Sequence, residues 1–127
     1  MKHPEQDLVH RPTVKYLINQ YPHVFFHHSP NGGWRKKVEA AIFVGLGVKK
    51  GFPDLLIYEP RENYCGLVIE FKAPGRIKLL TDNQKTCLAI LSKKGWYVSV
   101  VDSFEDSKQL IDEYLQKRNG FADRKVQ

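Results

Sequence analysis

Three charged side chains in the middle of the chain, Asp54, Glu70 and Lys72, stand where a packed sheet does not tolerate them alone. Asp54 opens the apolar run Leu55-Leu56-Ile57-Tyr58, and Glu70 and Lys72 punctuate the strand-like GLVIEFK of residues 66–72. Side chains alternate faces along a strand, so Leu67, Ile69 and Phe71 share one face, and Val68, Glu70 and Lys72 the other. A carboxylate and an ammonium two residues apart among large hydrophobes are costly unless paired with each other, a metal or a ligand. Glu59-Pro60-Arg61-Glu62-Asn63 is a turn cluster, which predicts an antiparallel hairpin bringing Asp54 and Glu70 together at one sheet end. Such oxygen ligands suit Mg2+ or Mn2+, which keep several waters. Lys72 then reaches an attacking water or a phosphate under attack. The alternative is an exposed Glu70–Lys72 ion pair on an edge strand, since alternating strands often have one wet face.

Other elements must hold this hairpin in place. Pro4, Glu5, Gln6 and Asp7 suit a helix N-terminus, and Val9, Thr13, Tyr16 and Leu17 fall on one face of a helix that Pro12 kinks or restarts. Residues 24–28 (VFFHH) read as a strand, and Ser29-Pro30-Asn31-Gly32-Gly33 as a turn. His27 and His28 point to opposite faces of that strand, so each reads as an ordinary strand residue. Residues 36–45 predict a short helix with Val38, Ala41 and Ile42 on one face, ended by Gly45 and Gly47. Thr81-Asp82-Asn83-Gln84 is a capping box opening a helix to about Lys94, with Leu88 and Leu91 inward and Gly95 as the stop. Residues 96–101 form a near-continuous apolar strand, read as interior. Ser103 and Asp106 cap a last helix through about Lys117, and a frayed tail follows from Asn119.

Pro53-Asp54 followed by Glu70-Phe71-Lys72, sixteen residues beyond the aspartate, resembles the PD-(D/E)xK nuclease signature. The block GVKKGFPDL (47–55) resembles the GVxxGxPDL block of the VRR-NUC (virus-type replication-repair nuclease) branch. IEFKAPG (69–75), LTDNQ (80–84) and GWYVSVV (95–101) resemble its later blocks, in order. The resemblance implies a metal-dependent endonuclease cutting DNA phosphodiesters. Asp54 and Glu70 would hold one or two Mg2+ with the Phe71 backbone carbonyl as a further ligand, and Lys72 would serve the attacking water and the transition state. It also implies a place for Gln84 beside Glu70 and Lys72, although capping alone explains that residue. An acidic residue on the first helix, by position Glu5, would join the metal; its other reading is a carboxylate serving the helix dipole. Standalone members resembling this chain are associated with dimers that resolve four-way junctions, which implies a homodimer acting on branched DNA.

Composition fits a nucleic-acid partner. Twenty Lys+Arg against fourteen Asp+Glu give a net charge of +6, and 42% hydrophobic residues are those of a globular chain. Candidate phosphate contacts are Arg35 and Lys36 beside Trp34, Lys49 and Lys50 before Asp54, and Arg76 and Lys78 in a basic turn. Each has a plain reading as a solvated charge. Cys65 and Cys87 lack zinc-site spacing and read as reduced thiols. At 127 residues one domain is expected. No apolar run approaches the ~20 residues of a membrane span, and no signal-peptide core stands at the N-terminus, so a cytoplasmic protein is expected. The element order predicts an α/β domain with a restriction-endonuclease-like αβββαβ core, its mixed sheet flanked by helices. The rival readings are a non-catalytic module that binds branched DNA, a nuclease acting on flaps or duplex nicks, and a protein-interaction domain whose charge is incidental.

Overall fold

The apolar runs on either side of the Glu59–Asn63 turn zip together as β2 (Leu55–Ile57) and β3 (Leu67–Phe71), antiparallel, with Leu55 opposite Ile69 and Ile57 opposite Leu67. The computed structural model describes residues 2–30 and 37–119. β1 (Phe26–His28) pairs antiparallel on the free edge of β2, and β4 (Tyr97–Val101) pairs parallel on the free edge of β3. The sheet order is therefore β1-β2-β3-β4. A π-helical segment, Glu5–His10, runs into α1 (Arg11–Gln20), and these pack with α4 (Phe104–Leu115) on one face of the sheet. α3 (Asp82–Lys93) covers the other, and α2 (Lys37–Gly45) is inserted between β1 and β2. This is the αβββαβ core expected from the element order, with one inserted and one terminal helix. Among the described residues no helix is long and apolar enough to cross a membrane.

Period-two alternation decides which side each strand residue serves. Leu55, Ile57, Leu67, Ile69 and Phe71 are fully buried against Val9, Leu17, Ile111 and Tyr114. Leu56 and Val68 face the opposite way, toward Leu88 on α3. Glu70 belongs to this second face, and so does Asp54 across from it.

Local chemistry sets the element ends. Thr81 and Gln84 form the expected capping box, and the Ser103 hydroxyl caps α4 by accepting the Asp106 N–H at 3.1 Å. After α3, Gly95 (φ +98°) lets its own N–H reach the Ser92 carbonyl and that of Trp96 reach Leu91, a Schellman turn. Pro12 has no N–H and would clash with the Leu8 carbonyl in a regular helix. The chain widens ahead of it, and the Arg11 N–H donates to the Gln6 carbonyl, five residues back.

Four expectations need correction. β4 is an edge strand, not an interior one; its apolar run reflects helices on both faces rather than strands on both sides. Ala41 and Ile42, expected on the buried face of α2, are exposed, while Ala40 and Phe43 are partly covered. α2 is apolar almost all round, so periodicity cannot say which face packs. β1 is shorter than residues 24–28. Asn119, where the tail was expected to fray, bridges Arg61; residues 120–127 lie outside the described ones.

Candidate active site

Asp54 lies one residue beyond the Leu55–Ile69 rung and so falls opposite Glu70. Its Oδ2 accepts the Phe71 N–H at 2.8 Å, taking the place of a backbone ladder partner. The Asp54 carbonyl accepts the Ser29 N–H at 3.1 Å and lies 2.7 Å from His28 Nδ1, which ties the mouth of β2 to the end of β1. The Lys72 N–H points the other way, to the Val101 carbonyl at 2.8 Å. N–H and C=O of one extended residue share an edge, so the Phe71 carbonyl faces the Asp54 side.

Gln84 does two jobs at once. Its backbone N–H and side-chain Oε1 complete the capping box with Thr81, at 3.1 and 2.9 Å. The same Oε1 accepts Lys72 Nζ at 2.9 Å, while Nε2 donates to Glu70 Oε1 at 3.1 Å. The helix start therefore orients the strand's acid and base together.

Gly51 explains how α3 comes so close. A Cβ built there would lie 2.4 Å from the Asn83 carbonyl carbon and 2.5 Å from the Gln84 nitrogen, and its φ is +77°. Gly75 has a similar φ of +80° with nothing within 4 Å. Gly51→Ala is expected to cost about 2–3 kcal/mol and Gly75→Ala only about 1 kcal/mol in denaturant unfolding. Equal losses would show that backbone strain, not contact with α3, governs position 51.

Electrostatically the site is unfinished. Glu70 is only 3% exposed, and its Oε2 is buried without a hydrogen-bond partner. Burial first, then the charge of Asp54, push the Glu70 carboxyl up to about 9, with Lys72 offsetting part of the rise. Asp54 is also raised by burial, an effect that the Phe71 N–H and His28 oppose. Two ionised carboxylates cannot hydrogen-bond to each other, so Oε2 finds a partner in Asp54 only when one of the pair is protonated. A cation would relieve both the orphaned oxygen and the repulsion.

Glu5 lies close enough for burial and the Asp54 charge to raise its carboxyl, with Lys72 opposing. Its neighbour Asp7 faces solvent, 3.6 Å from Arg11. Among the described residues no group of three or more His, Cys, Asp and Glu side chains is arranged to hold a metal ion. Two carboxylates with a backbone carbonyl still fit Mg2+, which is commonly held by one or two carboxylates and keeps its remaining waters.

The candidate basic residues divide. Lys49 and Lys50 are exposed on the loop that leads through Gly51, and the Lys50 carbonyl accepts the Cys87 thiol at 3.4 Å. Burial first, then the Glu70 charge, raise that thiol while Lys49 opposes, so loop, helix and carboxylate are neighbours. Arg76 and Lys78 are exposed on the turn after β3, whereas Arg35, Lys36 and Trp34 lie outside the described residues. The histidines were missed as neighbours of the site. His10 stacks on Phe71 at 4.5 Å and meets His28 edge-on at 4.7 Å. Burial, then His28 and Arg11, push His10 down to about 4, so it is neutral at physiological pH. The available signal was that His28 ends a strand beside a turn.

The VRR-NUC domain model matches residues 6–105, a stretch that begins one residue after Glu5. A solved VRR_NUC domain protein superposes with a TM-score of 0.71 at 27% identity, covering 94% of this chain and 98% of that one. No curated protein sequence matches the chain. With these blocks, this sheet and this match over most of its length, the chain belongs to the VRR-NUC family of nuclease domains.

Proposed function

We propose that the protein is a Mg2+- or Mn2+-dependent endodeoxyribonuclease that hydrolyses DNA phosphodiesters, preferring four-way junctions and working as a homodimer. The observation that carries the reaction is the buried Glu70 carboxyl facing Asp54, its Oε2 without any hydrogen-bond donor from the rest of the described chain, with Lys72 on the same face of the strand. Asp54, Glu70 and the Phe71 carbonyl would hold the cation, with Glu5 alongside. A divalent ion bound there supplies Lewis acidity and neutralises charge on the scissile phosphate. Lys72, oriented by Gln84, offers a proton donor and a positive charge where the phosphate oxygens gain charge in the transition state. Lys49, Lys50, Arg76 and Lys78, with Arg35 and Lys36, hold flanking phosphates.

The dimer reading rests on one site per chain and on exposed apolar side chains, Leu8 and Ile18 on the first helix and Phe25 before β1. A C2 pair places two equivalent sites across its axis, matching the two strands of a junction. Incubating the protein with labelled duplex, flap, fork and four-way-junction DNA, with Mg2+, Mn2+ or EDTA, tests the whole reading. Paired symmetric nicks in the junction and a two-chain mass by light scattering are expected. Cutting in EDTA would overturn the metal assignment, and a monomer nicking plain duplex as fast as a junction would overturn the junction preference.

Gln84→Glu keeps the cap but replaces the donor facing Glu70 with a second carboxylate. Cleavage is expected to fall about 10- to 100-fold, and the metal-free protein to melt lower, because a further carboxylate then faces buried Glu70. Wild-type turnover would show that capping is its only role.

A further inference from the structure

Residues 73–80 form a turn whose two ends are both anchored in the site. It leaves Lys72, whose N–H is held by Val101, and returns at Thr81 and Gln84. Within it the Arg76 N–H reaches the Ala73 carbonyl at 2.9 Å and the Leu79 N–H the Arg76 carbonyl at 3.0 Å. The Gly75 N–H is tied to Asp102 Oδ2 at 3.1 Å. These bonds make the turn a formed projection at the end of the sheet that carries Asp54 and Glu70.

Its tip reads Arg76-Ile77-Lys78-Leu79, two aliphatics alternating with two cations. Ile77 is 40% exposed and Leu79 56%, although Leu80, the next residue, packs beneath α3. Single exposed aliphatics need no explanation. Two of them interleaved with cations, on a bonded turn beside the reactive groups, match what a nucleic acid offers there: base faces for the aliphatics and phosphates for the cations. Leu and Ile are among the side chains that proteins insert between base steps to unstack and kink a duplex.

We propose that this turn is a DNA wedge: Ile77 and Leu79 enter a base step beside the scissile phosphate while Arg76 and Lys78 hold the phosphates flanking it. The proposal rests on the nuclease reading and adds a substrate class to it, DNA whose stacking is interrupted or easily interrupted next to the cut. A junction branch point, a mismatch and a flexible pyrimidine–purine step all qualify.

The test uses the full chain and the double variant Ile77→Ala/Leu79→Ala, whose exposed positions leave the fold intact, as a thermal melt verifies. 2-Aminopurine is placed in turn at each position around the mapped cut, and fluorescence is read on binding in EDTA. Wild type is expected to brighten the base at the cut and the double variant to leave it quenched. Cleavage of fully stacked duplex by the variant is expected to fall about tenfold or more, whereas DNA carrying a mismatch at that step is cut at close to the wild-type rate. Arg76→Ala and Lys78→Ala should instead weaken binding to all sequences and lower the salt slope by about one each. A double variant with unchanged brightening and unchanged cleavage overturns the wedge and leaves the nuclease intact. So does a variant that loses its two-chain mass rather than its unstacking, because the aliphatics then belong to a contact between copies. Wild-type protein that neither binds nor cuts any DNA removes the nuclease reading, and the wedge with it.

Discussion

Glu70→Gln is expected to abolish Mg2+-dependent cutting, by about 1,000-fold or more, while raising the melting temperature of the metal-free protein. The two effects share one cause. In the metal-free fold the Glu70 carboxyl, pushed up to about 9 from 4.5, keeps a proton that the unfolded chain releases. Raising the pH favours the state that binds fewer protons, so metal-free stability falls as pH climbs from about 4.5 toward 9. At pH 7 that proton uptake costs roughly 3 kcal/mol, an amount the amide of Gln never incurs, and melting should rise by up to about 10 °C. Adding Mg2+ should stabilise wild type most at alkaline pH and leave Glu70→Gln nearly unmoved. Calorimetry across pH, with EDTA and with Mg2+, checks both halves. A variant that melts lower than wild type without metal, or still gains stability from Mg2+, would show that Glu70 is neither strained by its burial nor a ligand of the cation.

What could be read in the sequence was what depends on neighbours along the chain. Alternation places Leu67, Ile69 and Phe71 opposite Val68 and Glu70, and an antiparallel return after the Glu59–Asn63 turn can bring Asp54 to Glu70; both relations need only strand geometry. The Thr81–Gln84 cap is likewise local. That the same glutamine holds Lys72 and Glu70 is a relation between a helix start and a strand end, visible only through family resemblance. Its geometric reason, the bare Gly51 backbone against Asn83 and Gln84, appears once α3 is docked. His10 and His28 meet across a helix and an edge strand, beyond any periodicity. Glu5 was one of several acidic or amide residues in a row until the π-helical turn ahead of Pro12 set their facing: Glu5 lies by Asp54 and Asp7 by Arg11. α2 stayed ambiguous because an almost wholly apolar helix has no face to read.

Lys72→Met is expected to slow cleavage about 1,000-fold while changing the DNA dissociation constant only about threefold, because the ammonium's contact strengthens as charge develops on the phosphate. Met keeps the length of the side chain and removes only the charge and its donors, and the Thr81 N–H still satisfies Gln84 Oε1, so the fold should hold. A second consequence follows from the same geometry. Lys72 offsets part of the rise in Glu70, so its loss pushes that carboxyl further up, while taking a positive charge away from the cation's place should leave the affinity for Mg2+ no weaker. Lys72→Arg separates charge from shape: a planar fork cannot reproduce a single point donor held at 2.9 Å by Gln84, and recovery should be partial at best. Single-turnover cleavage over a Mg2+ series, beside binding measured in EDTA, distinguishes the cases. Unchanged turnover with weakened binding would make Lys72 a phosphate clamp, and full rescue by Arg would remove the need for the Gln84 contact.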